Sequence, residues 1–169
     1  MAYTIMNPIL GYPKIAATST APWTGGGTSL PPLGTIVQAN DPTYGAGEFI
    51  FLAGVASTVV GSAVVYNTDD FSTILTVADV IGPVAVAMSA NINGQYGWYQ
   101  ISGKAVVKTG TVVDNANVYT TSTPGQLDDA VVAGDRIKNA KFASANGTPS
   151  AGLAECEIAR PFSDDAVAA

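Results

Sequence analysis

The sequence predicts an all-β chain, a β-barrel or β-sandwich body with an extended N-terminal arm and little helix. Three observations carry that expectation. From Leu33 onward, short runs rich in β-branched and aromatic residues recur, each ended by Gly, Pro, Asn or Asp. Before Leu33 the chain holds Pro8, Pro13, Pro22, Pro31 and Pro32 and the triplet Gly25-Gly26-Gly27, which bars a long helix or a central strand there. Helical signals elsewhere are poor. The window 128–134 opens with two acids and closes on Gly134, enough for one short turn, and 70–80 has room for another.

Taken in order, residues 1–32 read as an extended arm. They carry Ile5, Met6, Ile9, Leu10, Tyr12, Ile15 and Trp23. A solvated linker seldom holds so many large apolar groups, so the arm is expected to lie on a surface, its own body's or a neighbour's. Residues 33–162 form the body. Strand signals fall at 34–39, 48–53, 58–66, 83–89, 95–102, 104–108, 117–121, 136–142 and 152–160. Asn93-Gly94 is a favoured hairpin turn, and Gly103 interrupts an aromatic run as a bulge or bend would. On 104–108, Lys104, Val106 and Lys108 are expected on one face, Ala105 and Val107 on the other. Residues 163–169 form an acidic tail.

The run 49–66 is 18 residues long and uncharged, long enough to be weighed as a membrane span. Gly54, Ser57, Thr58, Gly61 and Ser62 dilute it, and no Lys or Arg anchors its ends. Two buried strands joined by a turn account for it better. The opening Met1-Ala2-Tyr3-Thr4 has no basic segment and no continuous apolar core, so no signal peptide is expected.

Composition excludes several function classes. Of 169 residues, 47% are hydrophobic and only 12% charged, where soluble domains average about 25%. So few charges suggest a surface partly covered by a partner. Seven bases against thirteen acids give a net charge of -6, a poor match to phosphate. The nearest thing to a basic cluster is Arg136, Lys138 and Lys141, which reads as a solvated turn. No nucleic-acid partner is expected. The chain has no histidine, so a Ser-His-Asp triad and a His-bearing zinc site are impossible. Cys156 stands alone between Glu155 and Glu157, the setting of a buried apolar group and not of an activated thiol.

The remaining motifs favour plain readings. Asp69-Asp70, Asp128-Asp129 and Asp164-Asp165 are paired carboxylates, which can serve glycoside hydrolysis or bind calcium. All lie in turns or the tail, and neighbours on extended chain point apart. Gly45-Ala46-Gly47 and Gly25-Gly26-Gly27 lack the Lys-Ser/Thr of a phosphate loop. Asn146-Gly147-Thr148 matches a glycosylation acceptor but reads more simply as a turn. Tyr96 and Trp98 share one strand face, Tyr99 the other. They suit core packing, a subunit contact, or a stacking platform for sugar or base. No catalytic, cofactor-binding or metal-ligating residue is expected, and the chain is read as no enzyme.

Certain stretches suggest a family. They are Tyr44-Gly45-Ala46-Gly47-Glu48-Phe49-Ile50-Phe51-Leu52, Gly61-Ser62-Ala63-Val64-Val65-Tyr66 and Gln95-Tyr96-Gly97-Trp98-Tyr99-Gln100-Ile101-Ser102-Gly103. Gly125-Gln126-Leu127-Asp128-Asp129-Ala130 and Ala159-Arg160-Pro161 join them. Over roughly 33–162 the chain resembles the small β-rich capsid decoration (cement) proteins of tailed bacteriophages. The resemblance implies a barrel or tulip-like body on the outer capsid, made in the host cytoplasm and carried on the virion. It implies the major capsid protein and the chain itself, as a homotrimer, as partners, with no cofactor and no membrane. Ile5, Ile9, Tyr12, Trp23, Tyr96 and Trp98 are the candidate capsid or subunit contacts. The arm is expected to order on the capsid, and its removal to leave a folded body. The rival expectations are another virion part (tail tube, adaptor or head fibre), a host-glycan-binding module acting through Tyr96 and Trp98, and a small trimeric β-barrel enzyme.

Overall fold

A computed structural model describes residues 1–7, 11–20 and 31–164. Twelve strands run in order: β1 (Thr4–Ile5), β2 (Thr18–Ser19), β3 (Ile36–Asp41), β4 (Gly45–Ala53), β5 (Ala63–Tyr66), β6 (Thr73–Leu75), β7 (Gly82–Ala87), β8 (Tyr96–Lys108), β9 (Asn117–Thr120), β10 (Leu127–Asp128), β11 (Arg136–Phe142) and β12 (Leu153–Ser163). Among the described residues there is no helix. The chain is all-β, as expected.

The strands pair antiparallel in the order β1-β3-β4-β8-β7-β12-β11-β9-β10, with β5 attached to β7, β6 to β5 and β2 to β8. The path ends on β1 and β10 and does not close. Of the two architectures expected, the open sandwich-like one is therefore present and the closed barrel is not. The thirteen-residue β8 is the spine. Its first half pairs with β4, Phe51 opposite Trp98 and Ile50 opposite Tyr99. Its second half pairs with β12 from Ser102↔Ala159 to Lys108↔Leu153.

Gly103, foreseen as a bend, sits at the changeover with φ +98°. A Cβ there would run into the backbone carbonyl of Ala46, so only glycine lets the two chains pass. Asn93-Gly94 lies in the connection between β7 and β8, where Gly94 has positive φ and Gln95 N–H donates to Ile92 O (2.9 Å).

Three apolar clusters make the core. The first joins Val84 and Val86 of β7, Val107 of β8, Ile137 and Phe142 of β11 and Cys156 and Ile158 of β12. The second holds Tyr3, Ile15, Phe49, Phe51, Met88 and Trp98. The third holds Ile50, Leu52, Val64, Tyr99 and Ile101. Successive residues of β4 and β8 thus feed opposite clusters. Strands buried on both faces read as continuous apolar runs, which is why 49–52 does so, while 98–101 departs from it only at the buried Gln100.

Several local expectations are corrected. The strand expected over 58–66 begins only at Ala63. Thr58 Oγ1 donates to Val55 O (2.7 Å) and Val59 N–H donates to Ser62 Oγ (3.1 Å), so side chains close a turn that leaves Val59 and Val60 exposed. The segment 70–80 contains β6 and no helical turn. In 128–134, Asp128 Oδ1 caps Ala130 N–H (3.1 Å) in a local turn, which competes with a helix. The two-faced pattern expected for 104–108 is present, since Ala105 and Val107 enter the first cluster and Val106 does not, but Val106 on the face of Lys104 and Lys108 is buried as well.

Candidate functional site

The N-terminal segment held most of the candidate contacts, and its described residues lie on the chain's own body. Thr4 and Ile5 pair with Asn40 and Ala39 of β3, and Thr18 and Ser19 pair with Gly97 and Tyr96 of β8. Tyr3 and Ile15 are buried among Phe49, Phe51 and Trp98. Tyr3 packs edge-on to Phe49 with centroids 4.8 Å apart, and its hydroxyl donates to Lys104 O (3.0 Å). Burial pushes the Tyr3 hydroxyl up to about 12.

Trp98 has no exposed surface at all (0%). Its indole N–H donates to Pro13 O (3.0 Å), and its ring meets Tyr12 (6.1 Å between centroids) and Phe51 (5.1 Å). A residue sealed this way offers a partner nothing, so the expectation that Trp98 makes a capsid contact or a sugar platform is corrected: it anchors residues 12–13 from below. Tyr96, Ile5 and Tyr12 are half-buried against the same cluster. An apolar groove of about 540 Å³, lined by Tyr3, Ile5, Tyr12, Pro13, Ile15 and Met88, remains beside them. Ile9 and Trp23 lie outside the described residues.

The paired carboxylates do structural work. Asp70 Oδ1 accepts from Ser72 N–H (3.0 Å) and Ser72 Oγ–H (2.7 Å), which lowers its pKa. Asp129 Oδ2 accepts from Val113 N–H (2.9 Å). Asp164 pairs with Lys138, and Asp165 lies outside the described residues. Three further pairs, Lys104–Glu155 (2.8 Å), Lys141–Glu157 (3.3 Å) and Arg160–Glu48 (3.2 Å), neutralise the outer face of β8, β12 and β11. Among the described residues no group of three His, Cys, Asp or Glu is placed to hold a metal. Cys156 is buried, and burial pushes its thiol up to about 12.

Two features escaped the sequence reading. Asp41, read there as part of a strand stop, is buried and accepts from Thr43 N–H (2.7 Å), Tyr44 N–H (3.1 Å) and Ala2 N–H. Burial raises its pKa, but those donors outweigh burial and hold it below the ordinary value. An Asp followed by Pro-Thr is a turn signal, but the long-range bond to Ala2 leaves no local trace. The second feature is a pair of long-range ties made by aspartates of 121–135, one to 76–81 at the Arg136 end of β11 and one to 110–116 at its Phe142 end. Asp79 N–H donates to Asp135 Oδ1 (2.7 Å), tying 76–81 to 121–135, and the Val113–Asp129 bond ties in 110–116. Val77, Val113, Val131 and Val132 are exposed on these loops, Val131 by 82%.

No protein-family model and no curated protein matches this sequence.

Proposed function

We propose that this chain is a structural virion protein that binds the outer surface of a tailed-phage capsid and cements neighbouring capsomers, with no catalytic step of its own. One observation carries the reading. A chain with only 12% charged residues leaves large aliphatic side chains such as Val131, Val113, Ile81 and Ile74 in solvent. Apolar groups kept at a surface so poor in charge suit burial against another protein. The resemblance of 33–162 to decoration proteins names that other protein as the major capsid protein. The chain's acidity fits the outside of a particle better than contact with packaged nucleic acid.

Cryo-electron microscopy of particles purified from the phage that encodes this chain tests the reading. Density for the chain as protrusions on the shell is expected, at three-fold positions if it acts as a trimer. Density in the tail, or on no particle, would remove the cement role and leave an adaptor or host-binding part.

A further inference from the structure

Nine asparagines lie in the chain, and two of them, Asn93 and Asn146, precede glycine. Asn-Gly is the pairing most open to loss of the side-chain amide. Glycine has no side chain to shield its backbone nitrogen, and its permissive backbone lets that nitrogen swing onto the asparagine Cγ. Both pairs sit in exposed turns, and a Cβ on either glycine would meet nothing within 4 Å. Sequence and crowding therefore do not distinguish the two sites. Hydrogen bonding does.

Asn93 and Gly94 are the middle residues of the turn 92–95. The turn is closed at its ends, where Gln95 N–H donates to Ile92 O (2.9 Å) and Ile92 N–H donates to Gln95 Oε1 (3.1 Å). Neither the Asn93 side-chain amide nor the Gly94 N–H bonds to a described residue. Asn146, in contrast, is held at both reacting groups. Gly147 N–H, on the nitrogen that would attack, donates to Leu153 O (2.9 Å). Asn146 Oδ1, on the carbon to be attacked, accepts from Gly152 N–H (3.1 Å), and Asn146 N–H donates to Val112 O (3.2 Å). Ring closure at Asn146 must first break bonds that Asn93 does not make.

We propose that Asn93 is a site of spontaneous deamidation in the folded protein, and that Asn146, with the same following residue, is protected by its hydrogen bonds. The co-reactants are hydroxide and water. Hydroxide takes the Gly94 amide proton, the nitrogen attacks Asn93 Cγ, and the Cγ–Nδ2 bond breaks. The leaving nitrogen takes a proton from water and departs as ammonia, which leaves a cyclic imide. Water then opens the imide. Opening at the side-chain carbonyl gives aspartate, and opening at the main-chain carbonyl gives isoaspartate, whose backbone is longer by one carbon. Nothing is oxidised or reduced. Each event takes the net charge from -6 to -7, one carboxylate being gained, and alters the link between β7 and β8. This lability is independent of the virion reading.

The test is incubation of the purified full chain at mildly alkaline pH, folded and in urea, followed by peptide mass spectrometry that separates aspartate from isoaspartate. In the folded chain the Asn93 peptide is expected to convert about tenfold or more faster than the Asn146 peptide, the scale set by two hydrogen bonds that must open first. In urea the two rates should converge. In Asn93→Gln the ring to be closed is larger by one carbon, so the acidic form that the native protein accumulates on isoelectric focusing should be lost. Equal rates at both sites in the folded chain would overturn the proposal. So would an Asn93 peptide that stays intact when folded while it converts in urea, or an acidic form that persists in Asn93→Gln. A rate gap that survives in urea would overturn the protective role of the hydrogen bonds.

Discussion

The buried titratable groups set how this protein answers chemistry and pH. Cys156 lies in the first core cluster with no exposed surface. Its thiol, raised from 9.0 to about 12 by burial, is expected to resist alkylation in the folded chain and to react at once in denaturant, which iodoacetamide labelling with intact-mass readout checks. Fast labelling of native protein would mean that β11 and β12 part readily. Tyr3 is raised from 10.0 to about 12 for the same reason. In both groups the folded state disfavours the anion that the unfolded chain forms freely. Their stability contribution is therefore complete below pH 9 and is lost as pH climbs from 9 toward 12. Urea midpoints measured up that range should fall, and should fall less steeply in Tyr3→Phe. A flat profile would contradict the burial of both groups.

At the scale of elements, residues 1–7 and 11–20 belong energetically to the sheet they cover. β1 and β2 contribute only two residues each, so hydrogen bonds alone would hold them weakly. Tyr3 and Ile15 supply the rest by entering the second cluster. Ile15→Ala should cost about 2–5 kcal/mol, measured by urea unfolding followed through tryptophan emission. A loss below about 0.5 kcal/mol, the scale of a surface substitution, would mean that the segment is not seated as described. Removing residues 1–20 would uncover Phe49, Phe51 and Trp98, so a cleanly folded remainder is not expected, contrary to the reading from composition.

That contrast shows where the sequence was readable. The runs at 48–53 and 95–102 announced strands because both their faces are buried. Gly103 announced a bend because only glycine fits there. The all-β class followed from such local signals. The docking of the N-terminal segment did not, because it depends on Trp98 reaching Pro13 across 85 residues. The turn at 55–62 was missed because its Val59 and Val60 mimic a strand, while the hydroxyls of Thr58 and Ser62 decide otherwise. The ties from 121–135 to 76–81 and 110–116 were invisible because each joins segments far apart in sequence.

For the molecule as a whole, the uneven charge carries its own expectation. Repulsion of Asp128 by Asp129 and Asp135 should weaken as salt screens it, with a Debye length of about 8 Å at about 0.15 M. The thermal midpoint of the isolated protein is therefore expected to rise with ionic strength. Asp128→Asn keeps the acceptor for Ala130 N–H while removing one charge, and should raise the midpoint at low salt and shrink the salt effect. A midpoint indifferent to salt would mean that these three acids are too far apart to interact.

The central position of β8 also bears on how such a gene can drift. Four strands, β2, β4, β7 and β12, take their register from it, and side chains alternate faces at every step. Inserting one residue within β8 would turn all later side chains to the wrong layer and misalign β12. In the loop 129–135 an added residue shifts no strand register. Descendants of this sequence can thus change length in that loop, while the spine is confined to exchanging one side chain for another of similar volume.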